Sequence, residues 1–424
     1  MVILVVLALA LLLLGFEMFL VLGVTSLAVK AIFFGTLPDI VIMQKVFGGI
    51  NHATLLAIPF FILAAQLMGA GQIARNLINL AYALVGHTRG GMGHTAIAGS
   101  VAFGSVSGSA PATVAAMGAI VYPEMRKSGF GERFSLGLLV SSAESALLIP
   151  PSITLIVYGW MTGTSIAQLF AAGIAVGAVL ALAFAIMVSI QARRDGIPAG
   201  SAPKWRERWM ALRKAFWALG MPVIILGGIY SGIFTATEAA AVSVIYAMLV
   251  ELIVYRELRP SDLVRITEEA AVSTSVVFVL LAMGSLISYF VTLAQVPGTI
   301  SDFLTAVDAG PITFLIAVNV LFLVAGMFID PNSALLILVP SLFPIAVGFG
   351  VDPVHFGMIV TLNICVGMIT PPIGLDIFVA ASPLRKPVIS VVAGVWPFVV
   401  VNLLVLGIIS YVPDISLFVP RLLY

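Results

Sequence analysis

Oxygen-bearing side chains recur in two short stretches of an otherwise apolar chain. In the first half they are Ser107 and Ser109, within Gly104-Ser-Val-Ser-Gly-Ser-Ala-Pro111, and Ser152, within Ile149-Pro-Pro-Ser-Ile153. In the second half they are Asn332 and Ser333, within Phe328-Ile-Asp-Pro-Asn-Ser-Ala334, and Thr370, at the head of Thr370-Pro-Pro-Ile-Gly374. Hard cations take oxygen ligands. The proline pairs supply more of them, because each proline removes an N–H and clashes with the preceding turn, freeing carbonyls. Unwound carbonyls and half-helix C-termini can ligate coupling ions in carriers. Na⁺ is the natural candidate, since no His/Cys/carboxylate cluster with transition-metal spacing is present. Half-helices beginning just after the tips, at Pro111 and Asn332, would point positive dipole ends inward, which suits an anionic substrate.

Three acids lie in apolar surroundings: Glu144, Asp330 and Asp376. Intramembrane acids are functional candidates. One of them could neutralise a cation or carry a proton. Asp330 also reads as a helix N-cap, and Glu144 and Asp376 as structural ion pairs or interfacial groups. Ser, Gly and Pro could equally serve close helix packing and kinks alone. The spacing argues for a site. The interval from Pro111 to Pro150 matches that from Pro331 to Pro371 to within one residue, and Pro111–Pro123 matches Pro331–Pro344 equally well. One module is used twice.

The elements that hold these residues are membrane helices. The chain has 424 residues, 61% hydrophobic and 9% charged, against about 25% charged in soluble domains. Spanning helices need roughly 20 apolar residues, and the alternation of a β-barrel is absent. The fold class is therefore an all-α polytopic membrane protein embedded in a lipid bilayer. The N-terminal apolar run is too long for a signal-peptide core and lacks a basic start, so it reads as a retained helix. Val2–Phe34 is either one strongly tilted helix or two, broken near Gly15–Glu17. Cys365 is alone, so no internal disulfide forms. A net charge of +1 gives no reason to expect a nucleic-acid partner.

Lys and Arg mark the cytoplasmic side. Arg193, Arg194, Lys204, Arg206, Arg208, Arg213 and Lys214 place residues 191–217 inside as a basic loop dividing two repeats. Arg89 on one flank and Arg126, Lys127 and Arg133 on the other put both ends of Met92–Tyr122 inside. That segment is short for two spans, so it reads as a re-entrant hairpin entering from the cytoplasm. Pro311–Val347 has flanks free of Lys and Arg and reads as a hairpin entering from outside, with the C-terminus outside. Opposed hairpins make an inverted-topology repeat, an architecture of secondary transporters. The segments are 1–91, scaffold and arm helices; 92–190, the first repeat; 191–217; 218–310, scaffold and arms of the second half; 311–387, the second repeat; and 388–424, a last span and tail.

Enzyme signatures are missing. There is no HExxH and no Walker A loop, and Gly104-Ser-Val-Ser-Gly108 is not a GxSxG nucleophile elbow. A membrane enzyme acting through Ser107 or Glu144 would lack a paired base.

At these residues the sequence resembles the large membrane subunit of TRAP (tripartite ATP-independent periplasmic) transporters. The matching stretches are Leu56-Ala-Ile-Pro-Phe-Phe-Ile-Leu63, Ser107-Gly-Ser109, Ile149-Pro-Pro-Ser-Ile153, Phe234-Thr-Ala-Thr-Glu-Ala-Ala-Ala241, Gly326-Met-Phe-Ile-Asp330, Asp352-Pro-Val-His-Phe-Gly357 and Thr370-Pro-Pro-Ile-Gly374. The resemblance implies a non-enzymatic, elevator-type Na⁺/solute symporter of bacterial or archaeal inner membranes, with a transport domain moving against a scaffold. It implies two partners: a small four-helix membrane subunit and an extracytoplasmic solute-binding protein. Substrates would be small organic acids such as C4-dicarboxylates, sialic acid or 2-oxo acids. Substrate would sit at Ser107, Gly108, Ser109, Ala110, Asn332, Ser333 and Thr370. Na⁺ would be held among Ser107, Ser109, Pro150, Pro151, Ser152, Asp330, Asn332, Ser333, Thr370, Pro371 and Gly374. Glu144, Asp376 and Pro331-Asn-Ser depart from the family pattern, and extra carboxylates favour a less anionic substrate or a proton role. The alternative is a stand-alone Na⁺- or H⁺-coupled carboxylate symporter of related fold.

Overall fold

The computed structural model describes residues 2–200 and 203–424. Met1, at the head of the first segment, and Ser201 and Ala202, in the basic connector, lie outside the described residues. Among the described residues there is no β-strand, and nine helices are long and apolar enough to cross a membrane. The expected all-helical membrane fold is the one observed.

The first half runs α1 (Val2–Leu13), α2 (Met18–Phe33), α3 (Asp39–Ile50), α4 (Ala57–Ala70), α5 (Ile73–Val85), α6 (Gly91–Ser107), α7 (Ala110–Lys127), α8 (Glu132–Ala143), α9 (Ser145–Leu148), α10 (Ile153–Thr162) and α11 (Ile166–Arg194). The second half runs α12 (Trp205–Tyr230), α13 (Ala236–Leu249), α14 (Pro260–Leu293), α15 (Val296–Ala306), α16 (Pro311–Phe328), α17 (Pro331–Gly348), α18 (Pro353–Met368), α19 (Leu375–Ala381), α20 (Val388–Tyr411) and α21 (Pro413–Leu423). The N-terminal run is two helices, parted at Leu14–Glu17, where Gly15 takes a φ of 78°.

Three elements differ from what the sequence suggested. The basic stretch is mostly helical: α11 runs on to Arg194 and α12 begins at Trp205, so that of the described residues only 195–200 and 203–204 lie outside a helix there. Arg193 and Arg194 lie in the last turn of α11, where cations suit the helix dipole. The apparent outer connector after α14 contains α15, which corresponds in chain order to arm helix α5. The C-terminal tail is helix α21, which buries Leu417 and Pro420 and whose Ser416 Oγ meets His355 Nδ1 at 2.7 Å.

Helix α14, with 34 residues, is about 51 Å long and packs on α2, α3, α4 and α17. Arm helix α5 is tied to this side of the molecule by a distant acid. Buried Glu251 accepts the N–H groups of Gln72 at 3.0 Å and Ile73 at 2.9 Å. These are orphan donors of a helix start, and a carboxylate there is favoured by the dipole. Glu251→Ala leaves both unpaired, at about 1–3 kcal/mol each. Thermal unfolding in detergent is expected to shift markedly downward, and an unchanged midpoint would show that the cap contributes nothing.

Helix α8 packs closely on the last long helix, α20: a Cβ at Gly137 would lie 2.0 Å from the Gly394 carbonyl oxygen. Asn363 of α18 donates to Asn319 of α16 at 2.8 Å, and Asn319 donates to Ser410 of α20 at 3.1 Å. At one end Lys386 meets Glu132 at 2.9 Å.

Candidate functional site

Each hairpin tip is built by glycine or capping chemistry, and each is seated on the broken helix of its own repeat. In the first, α6 ends at Gly108, which has a φ of 58°, a region unfavourable for side chains with a Cβ. Ser109 caps α7, its hydroxyl accepting the Ala112 N–H at 3.5 Å. Pro111 lies in the first turn, where a missing N–H costs nothing. Beneath the tip, Thr113 Oγ1 donates to the Ser109 carbonyl at 2.8 Å and meets Ser107 Oγ at 3.0 Å. A Cβ on Gly108 would lie 2.3 Å from the Pro151 carbonyl oxygen, so the tip sits directly on the proline break. At that break Ser152 caps α10. Its hydroxyl donates to the Leu147 carbonyl at 2.6 Å and accepts the Leu155 N–H at 3.3 Å.

The second tip uses an acid where the first uses a serine. Asp330 caps α17, accepting the N–H groups of Asn332 at 3.1 Å and Ser333 at 3.2 Å, and the Ser333 hydroxyl. The capping expectation for Asp330 is what the structure contains. At the second break Thr370 Oγ1 donates to the Val366 carbonyl at 2.5 Å. Gly374 takes a φ of 56°; its N–H donates to Met327 O at 3.1 Å and its carbonyl accepts the Ile377 N–H at 2.9 Å. Gly374 thus forms the turn joining break to hairpin.

The two tips share a wall: Ser107, Gly108, Ser109, Asp330 and Asn332 line one cavity of about 790 Å³. Ala110, Ser152, Ser333 and Thr370 are buried instead beneath the tips and breaks, as are Pro150 and Pro151, while Pro371 is partly exposed. Asn332 Oδ1 is buried without a partner among the described residues. An orphaned amide oxygen beside hydroxyls that keep free lone pairs fits a hard monovalent cation. Among the described residues no group of three or more His, Cys, Asp or Glu could hold a metal ion. Glu144 and Asp376 are fully buried and lie outside the cavity lining.

The opposite wall was not anticipated. It comes from α4, with Gln66, and from α14, with Glu269 and Ser273. Gln66 Nε2 donates to Ser273 Oγ at 3.3 Å, tying the two helices together. The available sequence signal was a lone glutamine in the apolar run that begins at Leu56.

Comparison with known proteins accords with this architecture. A family model described as the tripartite ATP-independent periplasmic transporter, DctM component, matches residues 5–415. The chain is 43% identical over 415 residues to the ectoine TRAP transporter large permease protein TeaC of Halomonas elongata, covering 98% of this chain and 97% of that protein. It is 41% identical over 377 residues to the C4-dicarboxylate TRAP transporter large permease protein DctM of Pseudomonas aeruginosa, covering 89% and 88% respectively. The solved structure of the YdaH transporter of Alcanivorax borkumensis superposes with a TM-score of 0.61 at 12% identity, covering 90% of this chain and 87% of that one, a likeness of fold alone. With two glycine- or acid-capped tips seated on two proline breaks, and a family match across nearly its whole length, this chain belongs to the tripartite ATP-independent periplasmic transporter family, as a large membrane permease of the DctM type.

Proposed function

We propose that this permease couples inward Na⁺ movement to uptake of a small organic acid, delivered by an extracytoplasmic binding protein, with a small four-helix subunit beside it in the membrane. The observation that carries the reading is that tips from the two halves of the chain line one cavity. Helices α6 and α7, with 17 and 18 residues, are about 26 Å long. That is the short end of what a core of roughly 30 Å needs, and with basic residues on both flanks of the pair it supports a re-entrant hairpin.

The tips differ in electrostatics, and that orients a substrate. The dipole of α17 already meets the Asp330 carboxylate, whereas that of α7 meets only the neutral Ser109. An anionic group is therefore best held at the start of α7. The orphaned Asn332 oxygen and the carbonyls freed near Pro150, Pro151 and Pro371 favour Na⁺, with the hydroxyls of Ser107, Ser109, Ser152, Ser333 and Thr370 around them. Bound Na⁺ would order each tip and complete the substrate site.

The moving body would be the two repeats, α6–α11 and α16–α19. The last span, α20, joins it because α8 and α20 pack backbone to backbone at Gly137 and Gly394. Helices α4, α5 and α12–α15 would form the scaffold. The cavity follows α14 from Ile266 to Val277, the half nearest Arg256, Arg259 and Arg265. By the positive-inside rule this is an inward-facing arrangement, with the C-terminus outside.

The test is uptake into proteoliposomes containing both partners. Replacing external Na⁺ with choline at fixed membrane potential is expected to lower uptake by about tenfold or more, since each tenfold loss of driving Na⁺ gradient removes about 1.4 kcal/mol per coupled ion. Uptake indifferent to Na⁺, with the proton gradient held constant, rejects sodium coupling. Uptake of free substrate at full rate without the binding protein would instead indicate a stand-alone symporter.

A further inference from the structure

Helix α12 opens with a stripe of exposed apolar side chains. Trp205, Trp209, Leu212, Phe216 and Val223 follow one another at helical spacing and so share one face. Trp205 is 78% exposed, Trp209 59% and Phe216 64%. The residues that α12 buries, among them Ala215, Ala218, Met221 and Ile225, lie on the other side. With 26 residues α12 is about 39 Å long. That exceeds a hydrocarbon core of roughly 30 Å and approaches the 40–45 Å or so of core plus headgroup layers. Its first turns therefore lie at headgroup depth, in the leaflet that the positive-inside rule makes cytoplasmic.

The same turns carry five cations, Lys204, Arg206, Arg208, Arg213 and Lys214, against one acid, Glu207. By helical rotation Arg208 borders the stripe on one side, and Arg206 and Arg213 border it on the other. Glu207 is already engaged, accepting the Lys204 N–H at 3.0 Å. Among the described residues none of the five cations joins a salt bridge. Arg208 is partly buried, and its Nε has no hydrogen-bond partner among them. The helix that presents these groups is held in place. Tyr255 donates its hydroxyl to Lys214 O at 2.8 Å, and Tyr246 donates to Trp217 O at 2.7 Å. An antiparallel bridge between Arg89 and Ala199 anchors the connector that leads into α12.

An apolar stripe bracketed by unpaired arginines is complementary to a molecule with acyl chains and a negative headgroup. Arginine binds phosphate through paired N–H donors, and tryptophan suits the boundary between acyl chains and headgroups. We propose that the first three turns of α12 bind an anionic phospholipid of the cytoplasmic leaflet. Its phosphodiester meets the arginines, and its acyl chains run along Trp209, Leu212 and Phe216. A zwitterionic phospholipid fits less well, because its own ammonium group repels the same arginines. A protein laid over the stripe would have to desolvate several unpaired cations, which is costly, whereas a lipid leaves them at the wet surface. The proposal goes beyond the uptake reading and does not depend on it.

Tryptophan quenching by brominated lipids tests it. The chain has five tryptophans. Replacing two of them, Trp160→Phe and Trp396→Phe, leaves Trp205, Trp209 and Trp217 as reporters. The full-length permease is placed in phosphatidylcholine liposomes containing a small fraction of either brominated phosphatidylglycerol or brominated phosphatidylcholine. Surface cations contribute up to about 1 kcal/mol each toward an anionic lipid, reduced by salt. Phosphatidylglycerol is therefore expected to bind about tenfold more tightly than phosphatidylcholine, and the preference should shrink in high salt. Combining Arg206→Gln, Arg208→Gln and Arg213→Gln should bring the ratio close to one, while the three matching Arg→Lys changes should retain it. Equal quenching by the two lipids overturns the proposal, and that comparison needs no arginine variant. An undiminished preference in the triple glutamine protein places the lipid elsewhere and overturns it as well. So does loss of quenching by both lipids when the small membrane subunit is reconstituted alongside, because the stripe would then be a protein interface.

Discussion

Gly108→Ala is expected to lower substrate uptake by about 10- to 100-fold while the protein remains folded in the membrane. Two physical terms combine. A residue with a Cβ in the left-handed region costs roughly 1–2 kcal/mol. The added methyl would also sit 2.3 Å from the Pro151 carbonyl oxygen, well inside contact distance. A flexible side chain could swing away from such a clash, but a carbonyl fixed at a proline break has little freedom. The tip must lift from the break instead. Each 1.4 kcal/mol lost from the seated state lowers its population tenfold, and a lifted tip no longer presents Ser107 and Ser109 to the cavity. Initial uptake rates, alongside yield and monodispersity of the variant, check this. A folded Gly108→Ala protein transporting at the wild-type rate would remove the tip from the mechanism.

Gly367→Ala acts on stability first. Gly367 of α18 and Gly326 of α16 mark a backbone-to-backbone crossing that binds the second hairpin to its broken helix. A Cβ on Gly367 would fall 2.6 Å from both the carbonyl carbon and the Cα of Gly326. No rotamer relieves a clash with main chain, so the helices must separate, at about 1–3 kcal/mol for overpacking and occasionally more. The reciprocal change is gentler, because a Cβ on Gly326 would stand 3.1 Å from Gly367 Cα. The expected ranking in thermal unfolding is therefore wild type, then Gly326→Ala, then Gly367→Ala as the least stable. The reverse order would contradict the packing described here.

The breaks, caps and glycine tips of this site are local chemistry, and they are legible residue by residue. Pro150-Pro151 and Pro371-Pro372 cannot continue a helix, so α9 and α18 stop before them. Asp330 before Pro331 reads as a cap from spacing alone, and does cap. The apolar composition demands a membrane fold, because an unpaired backbone group in lipid is too costly for any open structure. The places where local reading fell short are also informative. Arg193, Arg194 and Arg206 read as loop, yet they ride on helix ends whose hydrogen bonds continue through them. Residues 296–306 read as a connector because an amphipathic arm buries little; among its residues only Leu304 is buried.

What the chain determined by itself is where each helix starts, breaks and turns, since propensity, capping and backbone sterics act over a few residues. What only the tertiary structure decided is which of those distant points share a wall or a cap. Gln66 meets Ser273 across 207 residues, and Glu251 reaches Gln72 across 179. Such pairings depend on how helices cross, and crossing is settled by backbone approach at sites such as Gly137–Gly394 and Gly326–Gly367, where a single added methyl would push the partners apart.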